Sequence, residues 1–506
     1  MKTNNFSKIT INIFGSRVTG LIRDILLANY LGANLLADAF LFAFRLPNLF
    51  RRIFAEGAVN SVFIPLFVKQ EKENLQLSNQ FLWWIFIIFF LITSLITLFI
   101  HIFSDQVINL LAPGFFDNLN QFNFAKKLLS ITFPFLIFVT LCAILSSVLN
   151  AKGYFFLPSI LSVILNLSMV AALILFKSDS HLALAWSMIV AGVIQLFLLL
   201  ININIIKGFS KVTINSFLLL KKKIVVFFKR FFYSVLGSGI IQLNIFISML
   251  FASLVGEGAI SQIYYADRII DLPFALIAVA ISITLLPYLS RNKDDLVKIS
   301  DAFNQTIILC MIFAIPTSVA ILLISQDIIS VLFGRGEFDF NNILMSSNIL
   351  KVYAISLPGY MVARICNQIF YSYERVDLPV RASIPTFICN LTFCFIFYEN
   401  LGVVGLALSG AISVWLNVVI QIFYLKKYFY DFYKKIKIFN IFKLFKIALA
   451  ILPLIIVIYL IDNNFEFNKY LNLFLQIFMS VFVYFISLKL LKLEELQLIY
   501  KNKFFN

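Results

Sequence analysis

An apolar stretch near the start of the chain, residues 15–67, carries charged side chains whose types could bind an anion. A charge near the middle of a membrane helix costs at least ~2.5–3.5 kcal/mol, so these side chains must face one another, water or a charged ligand. Arginines outnumber carboxylates there, which predicts a polar cavity suited to an anion. The charged residues are Arg17, Arg23, Asp24, Asp38, Arg45, Arg51, Arg52 and Glu56.

Spacing places several of these groups within reach of one another. Arg17 and Asp24 are seven residues apart and share a helix face, and Asn48 lies one turn from both Arg51 and Arg52. Arg52 and Glu56 are four apart and can pair. For Arg52 and Glu56 we favour a structural ion pair over ligand binding, because the carboxylate lies within reach of the arginine.

The second half of the chain adds two further cations inside apolar segments, Arg268 in the run YYADRIIDLP and Arg364. Carboxylates are too few to pair with all of these cations, so we predict that Arg17, Arg23, Arg51 and Arg268 bind a ligand. The planar guanidinium fork binds phosphate oxygens bidentately and stays charged when partly desolvated. The alternative is that these arginines pair internally and only lock helices together.

Composition indicates the elements that must position these residues. Of 506 residues, 61% are hydrophobic and 13% charged, against ~25% charged in soluble proteins, and mean hydropathy is +0.95. Apolar runs long enough to span a bilayer recur along the chain, so we predict an all-α polytopic membrane protein with about fourteen helices and an uncleaved first helix. The predicted spans are 8–31, 35–67, 80–103, 124–150, 156–177, 181–206, 222–254, 258–290, 300–325, 342–373, 378–399, 402–430, 440–461 and 468–491.

The lysines and arginines concentrate in alternate loops, which predicts that both termini are cytoplasmic. This asymmetry accounts for most of the net charge of +16, so the charge does not predict nucleic-acid binding.

Proline-containing segments recur at nearly constant separation. Leu46-Pro47 matches Leu272-Pro273, Pro134 matches Pro358, and Pro158 matches Pro379. Each copy then spans six helices, which predicts two lobes of like orientation related by an axis along the membrane normal. We also expect Pro47, Pro134, Pro273 and Pro358 to kink their helices. The predicted domains are a first lobe at 1–210, a second lobe at 211–432, and a C-terminal pair of helices with a tail at 433–506.

Enzyme signatures are absent from the sequence. There is no GxxxxGK[ST], HExxH or GxSxG motif and no cluster of acidic residues suited to a metal, and the five cysteines lie in apolar runs without metal-ligand spacing. We therefore predict no catalytic residue and no metal site, and interpret the chain as a transporter driven by an ion gradient or the membrane potential.

The segments GSRVTGLIRD, ADAF, RLPNLFRRIFAEGA and YYADRIIDLP resemble the bacterial lipid II flippase family, MurJ or MviN, within the superfamily of multidrug and polysaccharide exporters. The resemblance implies alternating-access transfer of lipid II, the undecaprenyl-pyrophosphate-linked disaccharide-peptide, from the inner to the outer leaflet of the bacterial cytoplasmic membrane. It also implies a groove for the polyprenyl tail at roughly 440–491. The family's essential cavity arginines fall on Arg17, Arg23, Arg51 and Arg268, with Asp24, Asp38, Asn48 and Ser261 as nearby motif positions.

The resemblance also bears on cofactors and partners. No cofactor is expected; lipid II and membrane lipids are the expected partners, and the chain is expected to be a monomer. The membrane potential supplies ~2.3 kcal/mol per charge per 100 mV, and chloride near Arg23 and Arg268 is a candidate coupling ion. A sodium site of the kind some members carry is not expected, because Asn390 is followed by Cys394 rather than a carboxylate, and helix seven offers only uncharged ligands, Gln242, Asn244 and Ser248.

Two alternatives stay open at this point. A drug or polysaccharide exporter of the same superfamily would have the same architecture, although an exporter of cationic drugs would need an acidic cavity. A polyprenyl-linked cell-wall enzyme would need acidic metal ligands or a catalytic outer loop.

Overall fold

A computed structural model describes residues 3–52, 59–177, 179–436, 440–464 and 468–493, and within these ranges the secondary structure is helical with no strand. Short 3₁₀ and π segments at Pro113–Asp117 and Ala275–Val279 accompany the α-helices. The α-helices are α1 (Thr3–Leu31), α2 (Leu35–Arg51), α3 (Asn60–Glu73), α4 (Leu75–Ile102), α5 (Ser104–Leu111), α6 (Leu119–Thr132), α7 (Phe135–Ala151), α8 (Phe156–Leu175), α9 (Ser180–Ile205), α10 (Ile214–Val255), α11 (Ala259–Phe274), α12 (Ala280–Arg291), α13 (Leu296–Leu332), α14 (Phe340–Ser372), α15 (Asp377–Tyr428), α16 (Tyr430–Lys435), α17 (Ile441–Asn464) and α18 (Lys469–Leu490).

Within the described ranges, 9 helices are long and apolar enough to cross a membrane. A crossing needs ~20 apolar residues at ~1.5 Å per residue. The prediction of an all-helical polytopic membrane protein is confirmed, whereas the full set of fourteen spans stays a prediction. The spans are Leu75–Ile102, Leu119–Ala151, Phe156–Leu175, Ser180–Ile205, Leu296–Leu332, Phe340–Ser372, Asp377–Tyr428, Ile441–Asn463 and Lys469–Leu490.

Proline and glycine set the interruptions of these helices. Pro134 separates α6 from α7, because proline lacks the N–H that would continue the hydrogen-bond ladder. By contrast, α2 continues through Pro47 and α14 through Pro358. Two predicted helices, 378–399 and 402–430, meet within α15 at Gly402, whose φ of +54° suits a residue without Cβ.

One compact unit comprises residues 1–261 with 336–338. Its core is rich in phenylalanine: Phe63 stacks on Phe81 with ring centroids 5.7 Å apart, and Phe227 meets both rings edge-on. Aromatic pairs of this kind add about 0.5–1.5 kcal/mol to the free energy of area burial. The core therefore joins α3, α4 and α10.

The linker before α10, residues 206–213, and the start of α10 are held to the first turns of α4 by side chains. Buried or half-buried amides and indole N–H groups donate to acceptors in this segment, which satisfies groups that have no ladder partner. The hydrogen bonds run from Asn79 to Lys207, Gln80 to Lys211, Trp83 to Gly208 and Trp84 to Ser216, each at 3.0–3.1 Å.

A second compact unit comprises residues 262–335 and 339–506. Within it α13 packs on α14, α14 packs on α15, and α17 pairs with α18. The Tyr484 hydroxyl on α18 donates to the carbonyl of Ile312 on α13 at 2.7 Å, so the last two helices are fastened to this unit. The lobe boundaries predicted from the proline repeat stay a prediction.

Candidate substrate-binding residues

Arg23 and Asp24 form a buried ion pair on α1, with 4% and 2% of their surfaces exposed. Arg23 donates from Nε and Nη2 to Asp24 Oδ1 at 2.9 and 2.6 Å, and from Nη1 to Asn166 Oδ1 on α8 at 2.9 Å. Its guanidinium carbon also lies 5.4 Å from the centroid of the Phe44 ring. Arg23 is thus held by internal partners, which is the arrangement that the internal-pairing alternative anticipated for it.

Asn166 is a polar contact that the sequence reasoning missed. Besides accepting from Arg23, it donates from Nδ2 to the Ser16 carbonyl at 3.1 Å and to Thr19 Oγ1 at 3.2 Å. A single asparagine inside the apolar run of α8 was the available signal, because a buried amide needs partners. Asn166 therefore connects α8 to two turns of α1.

Arg17 lies two turns before Asp24 on α1, but the two side chains have different surroundings. Arg17 is exposed, whereas Asp24 is buried. No ion pair to Arg17 occurs in the part of the chain that the structure describes. The structure brings Arg23, not Arg17, to Asp24, and leaves the Arg17 guanidinium open to an anion.

On α2, Asn48 and Arg51 are in contact. Asn48 donates to the Phe44 carbonyl at 2.8 Å and accepts from Arg51 Nε at 3.2 Å, so the amide orients the half-buried guanidinium. Arg52 follows at the end of the helix and is exposed. Its predicted partner Glu56 lies outside the described residues, so that ion pair stays a prediction.

Asp38 is buried completely in α2 and faces the start of α11. Its carboxylate accepts from the Gly258 N–H at 2.7 Å, and from the N–H and hydroxyl of Ser261 at 2.8 and 2.6 Å. Orphan N–H groups at a helix N-terminus and the positive end of the helix dipole both favour a carboxylate there. Asp38 and Ser261 thus form one hydrogen-bonded cap.

In the second unit, the two predicted cations are half-buried and lie against polar neighbours. Arg268 donates from Nη2 to the Tyr264 hydroxyl at 2.8 Å, with its guanidinium carbon 4.8 Å from the ring centroid. Arg364 donates from Nε to Ser282 Oγ at 3.3 Å. Tyr264 and Ser282 were not predicted, and each sets the direction of its guanidinium.

The residues considered for a cation on α15 form a cluster of hydrogen bonds. Ser409 Oγ lies 3.1 Å from Asn390 Oδ1 and 2.9 Å from Cys394 Sγ, across the interruption at Gly402. In the described ranges, no group of three or more His, Cys, Asp or Glu residues could hold a metal ion. A thiol is a soft ligand, unlike the hard oxygen ligands that such cations prefer.

The long apolar helices define a polytopic membrane protein, and Arg23, Asp24 and Asp38 are charged groups buried within it. The profile of the family described as lipid II flippase MurJ matches residues 27–482. The chain therefore belongs to the lipid II flippase MurJ family, whose members are transporters rather than enzymes.

Similar proteins cover nearly the whole chain. The probable lipid II flippase MurJ of Buchnera aphidicola subsp. Schizaphis graminum is 34% identical, covering 97% of this chain and 96% of its own. That of Buchnera aphidicola subsp. Acyrthosiphon pisum is 31% identical, with coverages of 96% and 97%. A solved lipid II flippase MurJ in an inward closed conformation is 28% identical, with a TM-score of 0.81 and coverages of 95% and 97%.

More distant structures share the fold. An inward-facing multidrug resistance transporter of the MATE family, in the MOP superfamily, has a TM-score of 0.62 at 13% identity, covering 84% of this chain and 95% of its own. At that identity the likeness concerns the fold alone.

Proposed function

We propose that this chain flips lipid II, the undecaprenyl-pyrophosphate-linked disaccharide-peptide, across the bacterial cytoplasmic membrane. The observation that carries the proposal is the family match over residues 27–482, together with relatives of that description aligned over nearly the full length. The exporter and enzyme alternatives lack comparable support.

The pyrophosphate is the part of this substrate that arginines recognise. Arg17 is exposed on α1, and Arg51 is oriented by Asn48, so both guanidinium groups are placed to receive phosphate oxygens. A bidentate Arg–phosphate contact combines charge with a fixed direction. We assign these two residues as pyrophosphate ligands of the first unit.

Arg23 has a different role in this proposal. Asp24 and Asn166 accept from three of its five N–H donors and Arg23 is only 4% exposed, so a phosphate reaches Arg23 only if this buried arrangement opens. A buried ion pair loses about 3–5 kcal/mol when one partner is removed. We assign Arg23 as a group that positions α1, and as a ligand only when that pair opens.

In the second unit, Arg268 and Arg364 are the proposed cations for the substrate. Tyr264 holds Arg268 by a hydrogen bond and by its ring face, which fixes the direction of the guanidinium. Arg364 lies beside Ser282, a neutral partner. The Tyr264 and Ser282 hydroxyls therefore set the direction of the two guanidinium groups.

The finer architecture is part of the same proposal. It comprises fourteen helices, two six-helix halves of like orientation, both termini cytoplasmic, and a monomer that works by alternating access. The polyprenyl tail would follow a groove at roughly 440–491, which includes α17 and α18. Coupling would use the membrane potential, with chloride near Arg23 and Arg268 as the candidate ion and sodium not expected.

Complementation tests the function directly. The gene for this chain is expressed in a bacterium depleted of its own lipid II flippase, and growth is followed together with labelled lipid II on the outer face of the membrane. We expect growth and outer-face lipid II to return. Membrane-inserted protein without either result would overturn the proposal.

A further inference from the structure

A cavity lies between the end of α4 and the proline break that separates α6 from α7. Its volume is about 220 Å³, far above the ~10–15 Å³ that one water needs, so it can hold a group of several heavy atoms. Its wall includes Leu98, which is 54% exposed, and His101, which is also exposed. The cavity therefore opens to the exterior of the first unit, and none of the residues assigned to the substrate lines it.

The helices around this cavity place it at the edge of the hydrocarbon. Residues Leu75–Ile102 and Leu119–Ala151 are candidate membrane spans. An exposed ion pair between Lys126 Nζ and Asp105 Oδ1, at 2.7 Å, marks the end at which these spans meet water. Ser130, in the wall of the cavity, lies one turn or ~6 Å further along α6. The cavity thus suits a molecule with a polar head and an apolar chain.

The wall offers hydrogen-bond acceptors whose own protons are already used. The Thr97 hydroxyl donates to the Thr93 carbonyl at 2.8 Å. The Ser130 hydroxyl donates to the Lys126 carbonyl at 3.0 Å. Pro134 has no N–H, so the Ser130 carbonyl loses the donor that a continuous helix would supply. An occupant that donates hydrogen bonds therefore fits this wall better than one that only accepts them.

The charges around the cavity select among such donors. The described residues that line it include no carboxylate, lysine or arginine, and its edge carries one charge of each sign, on Lys126 and Asp105. An exposed ion pair of this kind is weak, so both groups can exchange partners. A head with one cationic and one anionic group matches this edge, whereas a head with net negative charge does not.

Phosphatidylethanolamine combines these properties, because its ammonium has three N–H donors, its phosphate lies close to the ammonium, and its acyl chains stay in the hydrocarbon. We propose that the cavity binds the ethanolamine headgroup of a membrane phospholipid, with the ammonium directed to the Ser130 carbonyl and Thr97 Oγ1 and the phosphate beside Lys126. Ser94 and His101 also line the cavity and add a hydroxyl and a ring nitrogen as further acceptors.

Stepwise methylation of the lipid amine tests the proposal. Phosphatidylethanolamine, its N-methyl and N,N-dimethyl forms, and phosphatidylcholine, all with the same acyl chains, are added to the purified full-length protein in detergent. Bound lipid is counted by native mass spectrometry. The four lipids differ only in the number of N–H donors, so we expect binding to weaken along the series and to fall about tenfold in all.

Two substitutions remove acceptors without changing the charge of the protein. Thr97→Val deletes Oγ1 and keeps the shape of the side chain, whereas Pro134→Ala restores an N–H that can occupy the Ser130 carbonyl. In each variant we expect the preference for phosphatidylethanolamine over phosphatidylcholine to fall about threefold or more. Thermal unfolding checks that the variants are folded.

Matched controls come from α15. Thr392 donates to the Ile388 carbonyl at 2.9 Å, as Thr97 does within its own helix, and Pro385 lies inside α15. Thr392→Val and Pro385→Ala should leave the preference unchanged. Equal binding of all four lipids by the wild type, an unchanged preference in both cavity variants, or an equal loss in the controls would each overturn the proposal. The readout involves no lipid II, so its outcome is independent of the flippase proposal.

Discussion

The carboxylate of Asp38 accepts hydrogen bonds from both the backbone N–H and the hydroxyl of Ser261, at 2.8 and 2.6 Å, although the two residues lie far apart in the sequence. The Gly258 N–H adds a third bond at 2.7 Å. Asp38 therefore caps the N-terminus of α11 from another helix, whereas an N-cap side chain usually belongs to the residue that precedes the helix.

Asp38→Ala and Ser261→Ala both disrupt this cap, but we expect Asp38→Ala to destabilise the protein more. Asp38→Ala leaves the buried N–H groups of Gly258 and Ser261 without an acceptor, at about 1–3 kcal/mol for each. Ser261→Ala removes only the hydroxyl and should cost about 1 kcal/mol. Thermal unfolding in detergent measures both. Equal losses in the two variants would contradict the cap as described.

Asn166→Ala should lower both stability and flipping. The substitution removes the acceptor of Arg23 Nη1 and the donor to Ser16 and Thr19, so we expect a loss of about 1–3 kcal/mol. The matched control is Asn202→Ala on α9, whose amide donates to the Leu198 carbonyl of its own helix. Unfolding temperature and outer-face lipid II are measured together. A loss no larger than that of the control would show that Asn166 does not hold α1.

Gly114→Ala should be strongly unfavourable, whereas Gly410→Ala should be neutral or stabilising. A Cβ on Gly114 would lie 1.9 Å from the Ser253 carbonyl oxygen, while one on Gly410 would meet no atom within 4 Å. Forced displacement of packed backbone costs about 1–3 kcal/mol, and alanine in a helix gains about 0.5–1 kcal/mol over glycine. Unfolding temperatures of the pair test this; equal values would contradict the close approach.

The cap of α13 predicts a pH dependence outside the membrane spans. The Asp295 carboxylate accepts from the N–H groups of Lys298 and Val297, at 3.1 and 3.2 Å, and the Lys298 N–H is the main reason that the pKa of Asp295 lies below its ordinary value of 3.8. The stabilisation is therefore present above pH 3.8 and is lost as the pH falls through the lowered pKa.

The measurement compares wild type with Asp295→Ala. The wild type should unfold at the higher temperature near neutral pH, and the difference should shrink as the pH falls well below 3.8. A difference that is constant with pH would show that the charge of Asp295 has no part in the cap.

Helix positions were predictable where an apolar run sets the length. The span predicted at 342–373 is observed at Phe340–Ser372, and the one predicted at 468–491 at Lys469–Leu490. By contrast, α10 begins at Ile214 rather than at the predicted 222. Hydropathy falls at its lysines, but lysine favours helix, and Thr213 with Ser216 forms a capping box that starts the helix earlier.

The charged residues were predictable as a group but not in their pairing. A charged side chain inside the membrane has a high free-energy cost, so Arg23 and Asp38 were expected to have polar partners, and the structure shows them. Sequence spacing predicts only contacts between residues on the same helix. It could not identify Asn166 as the partner of Arg23 or Gly258 as the partner of Asp38, because tertiary packing brings these residues together.

The four hydrogen bonds from Asn79, Gln80, Trp83 and Trp84 have a practical consequence for anyone who modifies this chain. Segments between membrane helices are the usual places for an affinity tag or a fluorescent reporter, because insertions there seldom disturb the fold. Here the backbone carbonyls of Lys207, Gly208 and Lys211 and the hydroxyl of Ser216 instead accept hydrogen bonds from amide and indole donors. An inserted reporter at this position would shift those acceptors, so it belongs elsewhere on the molecule.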